Sequence, residues 1–277
     1  MMNVLLFPTM RCNLKCSYCH FRVDQHKTSY EWEGYGRAHK VSGEVQWTDL
    51  VAFLEKVGPS HIEFSGGEPT LYRGFKELVA NIPHGSRWAI TSNTLIDPKG
   101  TDLSKCIFWT ASYHAGGSRE TFIENVKWLR DNYGRVAVSF VVPFDNVDKT
   151  LIKALEYRND LGVQVNLLRE LNPGISWTDT EEWKKLEAMK HFGFNVVEDD
   201  IPESYEFSGG WLCHGGESYV AVMPCGNVYR CYSEAMDGDP IGTIWDFEPE
   251  AEPYECHRDC YGCALDHKAR IAKLIGG

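Results

Sequence analysis

Six short apolar runs, alternating with stretches of helical spacing, constrain most strongly what this chain can fold into. The runs are Val4–Phe7, His61–Phe64, Arg87–Ser92, Cys106–Ser112, Val136–Val142 and Val163–Leu168. Helical spacing marks Trp47–Val57, Leu71–Ile82, Arg119–Asn132, Val147–Leu161 and Thr180–Phe192. In Arg119–Asn132, for example, Phe122, Val126 and Leu129 share one face, and Gly58-Pro59 ends the first helix. Repeated β–α units joined by right-handed crossovers build a parallel sheet. Six units are too few for a closed eight-stranded barrel.

The 277 residues suit one large α/β unit with a small appendage. Apolar content of 43% and charged content of 24% are ordinary for a globular protein. The formal charge, 28 − 39 = −11, repels phosphate backbones and argues against extended nucleic acid as a partner, though not against a nucleoside-sized ligand. Met1–Pro8 has no basic flank and too short an apolar core for a signal peptide. The longest apolar run, Val136–Phe144, is interrupted by Ser139 and Pro143 and falls short of the about 20 residues that span a bilayer. A cytoplasmic protein without membrane contact is expected. Ten cysteines in a reducing compartment point to metal or redox chemistry rather than to disulfides.

Three of those cysteines, Cys12, Cys16 and Cys19, follow the first apolar run at the spacing C-x3-C-x2-C. Thiolates so placed can hold three corners of an iron–sulfur cluster, leaving the fourth iron without a protein ligand. A closed zinc site needs a fourth ligand, which is missing locally, and a disulfide framework needs an oxidising compartment. A second feature is Ser65-Gly66-Gly67-Glu68-Pro69, directly after His61–Phe64. Adjacent glycines let the backbone approach a ligand closely. Glu68 offers a carboxylate to an ammonium group. Taken alone, this motif also fits an ordinary strand-to-helix turn.

Together, the two motifs resemble the signature of the radical S-adenosylmethionine (radical SAM) superfamily. The resemblance implies an open (βα)6 partial TIM barrel with its site at the C-terminal ends of the strands. It implies a 4Fe-4S cluster on Cys12, Cys16 and Cys19, whose fourth iron binds the amino and carboxylate groups of SAM. Gly66, Gly67 and Glu68 would contact the methionine amino group, and Tyr18, just before the last cysteine, would belong to the cofactor site. Family members often place a serine at the end of the fourth strand against the SAM ribose, which makes Ser112 the candidate. Phe108, Thr110 and His114 then point into the same cavity by alternation. Asn93, sharing a face with Thr91, stands where the family often has a ligand-contacting polar residue. On the sixth strand Gln164, Asn166 and Glu170 alternate with Val163, Val165 and Leu167. A parallel strand buried on both faces should be continuously apolar, so this polar face is expected to line a wet cavity. Glu170, His114 and the neighbouring Arg169 are candidate catalytic residues, Arg169 as a binder of polar substrate or a partner for a carboxylate.

Six of the ten cysteines fall after residue 212. Tyr219–Met223 and Val228–Cys231 predict a hairpin around Pro224-Cys225-Gly226-Asn227. The pattern Cys213-x12-Gly226-x4-Cys231, followed by Cys260-x2-Cys263, resembles the twitch domain, the shortened form of the SPASM extension of radical SAM enzymes. By that resemblance Cys213, Cys231, Cys260 and Cys263 ligate one auxiliary 4Fe-4S cluster. Cys225 and Cys256 are surplus, and Cys256 could displace one of the four, because Cys256-x3-Cys260-x2-Cys263 repeats the spacing of the first motif. A zinc ribbon is the alternative for this region. The expected layout is a radical SAM partial barrel over residues 1–204 and a small cysteine-rich twitch-like domain, hairpin plus helix and loops, over 205–277.

The resemblance implies reductive cleavage of SAM to a 5′-deoxyadenosyl radical, with the electron delivered by a donor such as flavodoxin or ferredoxin. An auxiliary cluster, able to accept an electron from the substrate radical, favours a net two-electron oxidation. The first strand begins at about residue 3, without a preceding leader-recognition domain, which tilts the expected substrate towards a small polar molecule: sugar-, cyclitol- or nucleoside-like. The alternatives are a peptide maturase, or an epimerase in which Cys225 returns hydrogen. A different class altogether is a non-enzymatic iron–sulfur or zinc scaffold. The aperiodic stretch His20–Gly43 is either a lid or a surface excursion.

Overall fold

The computed structural model describes residues 1–16, 18–19, 29–31, 40–170, 177, 179–197, 211–237, 239–256 and 270–273. Its strands are β1 (Met2–Leu6), β2 (Ser29–Glu31), β3 (Lys40–Ser42), β4 (Ser60–Phe64), β5 (Arg87–Ser92), β6 (Cys106–Tyr113), β7 (Val136–Val142) and β8 (Gln164–Arg169). They continue with β9 (Asn195–Val197), β10 (Trp211–Cys213), β11 (Tyr219–Val222), β12 (Asn227–Tyr229), β13 (Gly242–Thr243), β14 (Tyr254–Glu255) and β15 (Arg270–Lys273). The helices are α1 (Trp47–Val57), α2 (Phe75–Ala80), α3 (Arg119–Asn132), α4 (Val147–Leu161), α5 (Glu181–Ala188) and α6 (Tyr232–Asp237).

One sheet organises the chain, in the order β13-β12-β11-β1-β4-β5-β6-β7-β8-β9. All pairings from β11 through β9 are parallel, and the helices between the strands supply the crossovers, the arrangement of a partial TIM barrel. All six expected strands are present. The side chains of Val4, Leu6, Ile62, Phe64, Trp88, Ile90, Val138, Phe140, Val165 and Leu167 point to the helical layer and form the core with α1 to α5. At the centre Trp88, Phe64, Phe75 and Trp109 meet edge to face at centroid distances of 5.5 to 6.4 Å.

Several features differ from the sequence expectation. Leu71–Ile82 is not one helix: Pro69–Leu71 forms a 3-10 turn and α2 starts only after Gly74. Gly74 packs against the Trp47 ring, where a Cβ would lie 2.7 Å from Cδ1, so the chain bends around α1 before the helix begins. A seventh strand, β9, continues the parallel series beyond β8. The hairpin β11–β12 adds to the other end of the same sheet, with β11 parallel to β1, so the sheet runs on past residue 204. Cys213 lies in a separate three-stranded sheet, β14-β10-β15. Of His20–Gly43 only β2, β3 and Gly43 are described, and the choice between lid and surface excursion falls outside the described residues. Among the described residues no helix is long and apolar enough to cross a membrane.

The central aromatic contacts make a direct stability prediction. Trp109 is fully buried and its Nε1 donates to Thr94 Oγ1 at 3.1 Å. Trp109→Ala should cost about 3–5 kcal/mol in urea-induced unfolding. A loss below about 1 kcal/mol would contradict the packing described.

Candidate active site

The two motifs lie side by side at the C-terminal ends of β1 and β4. Ser65 N donates to Leu6 O at 3.1 Å, Gly67 N to Thr9 O at 3.2 Å and Glu68 N to Arg11 O at 2.7 Å. A Cβ on Gly67 would stand 2.3 Å from Arg11 O and 2.4 Å from Met10 O, and one on Gly66, where φ is +116°, 2.7 Å from Thr9 O. The glycines therefore let two stretches of backbone meet, so their close approach is to the chain itself, where the sequence suggested a ligand.

Glu68 is 1% exposed and its carboxylate accepts four hydrogen bonds. Thr70 N (3.1 Å), Thr70 Oγ1 (2.6 Å) and Ser92 Oγ (2.8 Å) donate to Oε1, and Asn93 N (2.6 Å) donates to Oε2. Burial pushes this carboxyl above the ordinary carboxylate range, and the four donors pull it back. Glu68 thereby ties the loop after β4 to the end of β5. Ser92 and Thr70, which complete this network, were not singled out in the sequence. The alternation of β5 did place Ser92 on the buried face, but nothing local paired it with Glu68.

The cysteine loop is held by side chains. Asn93 Nδ2 donates to Asn13 Oδ1 at 2.6 Å, and the Asn93 Oδ1 caps Leu95 N at 3.0 Å. The Tyr18 hydroxyl lies 2.8 Å from His114 Nδ1, with the two rings stacked at 5.8 Å and 29°. Burial pushes the His114 imidazole down to about 4, so the ring is neutral near pH 7. It pushes the Tyr18 phenol well above its usual range. Asn93 and His114, candidates for ligand contact and catalysis, are thus placed against the loop that carries the cysteines.

Cys12, Cys16 and Cys19 are partly exposed on this loop. Burial pushes the Cys12 thiol up to about 11, with further upward pressure from the charges of Glu68, Cys19 and Cys16. Burial and the Cys19 charge also raise Cys16. The raised Cys12 and Cys16 thiols, each opposed by a neighbouring cysteine charge, fit a cationic metal–sulfur centre, which stabilises thiolates. Among the described residues no three His, Cys, Asp or Glu side chains converge closely enough to hold a single ion. In a four-iron cluster each ligand binds a different iron, a role open to three thiols carried on one loop.

Beside the loop, Arg11 Nε and Nη2 grip Glu44 at 2.8 and 3.0 Å, Nη2 also reaches Leu71 O at 2.7 Å, and Thr9 Oγ1 donates to the same carboxylate. Neighbouring Val45 N donates to Pro224 O at 2.9 Å, which brings the hairpin turn carrying Cys225 to this end of the sheet. Cys225 is partly exposed and packs on a small apolar cluster of Leu5, Phe7, Met10, Ala221, Met223 and Ala235. Further along, Cys213, Cys231 and Cys256 are buried, and two of their sulfurs accept backbone N–H groups: Gly215 N at 3.3 Å and Glu234 N at 3.4 Å. Such bonds suit thiolates. Cys260 and Cys263 lie outside the described residues.

On the concave face, Ser112, Ser139, Asn166 and Asn195 stand in register across β6 to β9. Asn195 Nδ2 donates to Asn166 Oδ1 at 3.1 Å, and Asn166 Nδ2 to Ser139 Oγ at 3.4 Å. Glu170 follows on the same face by alternation. Arg169 is on the other side, with its guanidinium 5.8 Å over the Trp183 ring of α5, and is not gathered with Ser112 and His114.

Residues 6–99 match the model of the Radical SAM superfamily. The chain is 32% identical over 190 residues to "Probable GTP 3',8-cyclase" of Methanosarcina acetivorans, covering 68% of this chain and 51% of the relative. It is 32% identical over 92 residues to "PqqA peptide cyclase" of Bradyrhizobium diazoefficiens, covering 33% and 21%. The chain spans 27% to 59% of the length of the GTP 3',8-cyclase relatives it matches. In fold it is similar to Streptococcus suis SuiB bound to precursor peptide SuiA, with a TM-score of 0.62, 13% identity, and 89% and 63% of the two chains covered. The first matched segment carries both motifs and the strands that hold them, so residues 6–99 form a Radical SAM superfamily domain.

Proposed function

We propose that this chain is a radical SAM enzyme. The observation that carries the proposal is the loop of Cys12, Cys16 and Cys19, docked on the ends of β5 and β6 beside the buried Glu68 turn. When bound, a 4Fe-4S cluster with SAM supplies a 5′-deoxyadenosyl radical that takes a hydrogen atom from an unactivated carbon, and a second cluster supplies an electron acceptor. The three thiols hold the first cluster. Glu68 Oε2 accepts one protein hydrogen bond, from Asn93 N, which leaves acceptor capacity for an N–H of the methionine amino group. Ser112, one residue pair from Asn93 along the sheet, is available to the ribose. By the twitch resemblance Cys213, Cys231, Cys260 and Cys263 would hold an auxiliary cluster, with Cys256 able to displace one of the four, and an electron acceptor there favours a net two-electron oxidation.

The substrate is a small polar molecule, nucleoside- or sugar-like, lying along Ser139, Asn166 and Asn195. These residues offer neutral donors and acceptors. The alternation of apolar strands with this polar row keeps the reacting carbon oriented while the barrel wall excludes water. A peptide substrate is the second reading, favoured by the likeness to a PqqA peptide cyclase and to the SuiB fold. In that case Cys225, at the same end of the sheet, is a candidate hydrogen donor for an epimerisation.

Anaerobic reconstitution followed by dithionite and SAM should yield 5′-deoxyadenosine, whereas a non-enzymatic scaffold would yield none. Iron content should be about eight per chain and fall to about four in a Cys12/Cys16/Cys19→Ala variant. Full retention of iron in that variant would overturn the cluster assignment. Glu68→Gln turns one carboxylate oxygen into an NH2 that opposes at least the Asn93 N–H and should lower the unfolding free energy by about 1–3 kcal/mol. An unchanged denaturation midpoint would show that the carboxylate does not hold the two loops.

A further inference from the structure

We propose that His114 is a positioning residue, which fixes the cysteine loop through the Tyr18 hydroxyl, with Asn93 doing the same through Asn13. This rests on the reading of that loop as the cluster holder. Between Cys12 and Cys19 the described residues form no helix or strand, and a backbone hydrogen bond runs from Cys19 N to Cys16 O at 3.2 Å. Three thiols must nevertheless be held at fixed separations to bind a rigid inorganic core. Side chains supply that restraint at both ends of the segment. Asn13, next to Cys12, meets Asn93 at 2.6 Å, and Tyr18, next to Cys19, meets His114 at 2.8 Å.

The two anchors are spatially matched. Asn93 directly follows β5 and His114 directly follows β6, and these strands are hydrogen-bonded neighbours. By register Asn93 stands level with Ser112, so His114 lies one strand across and two residues further along, an offset fixed by the sheet. Between them, Leu14 faces the Gly116 backbone, with Cδ2 3.8 Å from where a Cβ would stand. The Tyr18 phenol oxygen occupies His114 Nδ1, with the two ring planes 29° apart and their centroids 5.8 Å from each other. That geometry assigns His114 to the loop, where the sequence alone placed it among the candidate catalytic residues.

The test compares His114→Leu, His114→Gln, Tyr18→Phe and the Tyr18→Phe/His114→Leu double variant of the full chain. The rate of iodoacetamide alkylation at Cys12, Cys16 and Cys19 is followed by mass spectrometry before iron loading, and the rate of iron release to a chelator after it. His114→Leu and Tyr18→Phe should each accelerate both processes roughly three- to tenfold, the equilibrium worth of one lost hydrogen bond. The double variant should be no faster than either single one, because the two residues act as a pair. His114→Gln, whose amide oxygen accepts from the phenol, should restore the slow rates, and Cys225 should alkylate alike in all. Wild-type rates in both single variants, or independent addition of their effects, would overturn the proposal. So would loss of turnover in His114→Leu with thiol reactivity unchanged, which would make His114 a catalytic residue. If the wild-type chain takes up no iron, the function proposed above fails, while the alkylation comparison still decides the role of His114.

Discussion

The structure depends on one buried charge. A carboxylate removed from water is costly unless its oxygens are satisfied, and the donors to Glu68 come from its own turn and from the end of β5. Its backbone N–H, in turn, is bonded to Arg11 O at the entrance to the cysteine loop. The network continues inward: Ser92 Oγ accepts from Thr94 N at 2.9 Å, Asn125 Nδ2 reaches Thr94 O at 2.9 Å, and Trp109 closes on Thr94 Oγ1. The loops after β1, β4 and β5 become a single rigid unit, anchored to the aromatic core. That unit presents the three thiols.

The concave face is divided by chemistry. At the β1–β11 end it is apolar and closed, with Leu5, Phe7 and Met10 packed beneath α6, and Phe7 5.9 Å from the Tyr232 ring. At the β6–β9 end it is polar, with serine and asparagine side chains in register. The cysteine loop sits between the two. A reactive centre placed there has a dry wall on one side and hydrogen-bonding groups for an oriented ligand on the other.

Much of this was legible in the sequence, for physical reasons. Trp88 and Ile90, or Val138 and Phe140, announce their strands because a parallel sheet must bury every second residue under helices. The three cysteines and the Gly66-Gly67-Glu68 turn stood out together as a candidate site, and the structure sets the two segments side by side. What stayed hidden depends on pairing across long separations. Asn13 and Asn93 are 80 residues apart and Arg11 and Glu44 are 33 apart, and no local pattern joins them. β9 is three residues long and carries Asn195, too little periodicity to identify. β11 was legible as half of a hairpin, but its parallel seat beside β1 is a tertiary event. Gly66 and Gly67 were noticed for the right property, absence of a Cβ, although the atoms they approach belong to the chain itself.

The central claim is that the protein leaves one metal coordination position open beside Glu68, for a sulfonium ligand to occupy through its amino and carboxylate groups. Electron–nuclear double resonance on the dithionite-reduced chain, with SAM carrying nitrogen-14 or nitrogen-15 in its amino group, tests this most directly. The account predicts an isotope-dependent nitrogen coupling to the reduced cluster. A cluster signal that is unchanged by SAM and shows no such coupling would contradict it.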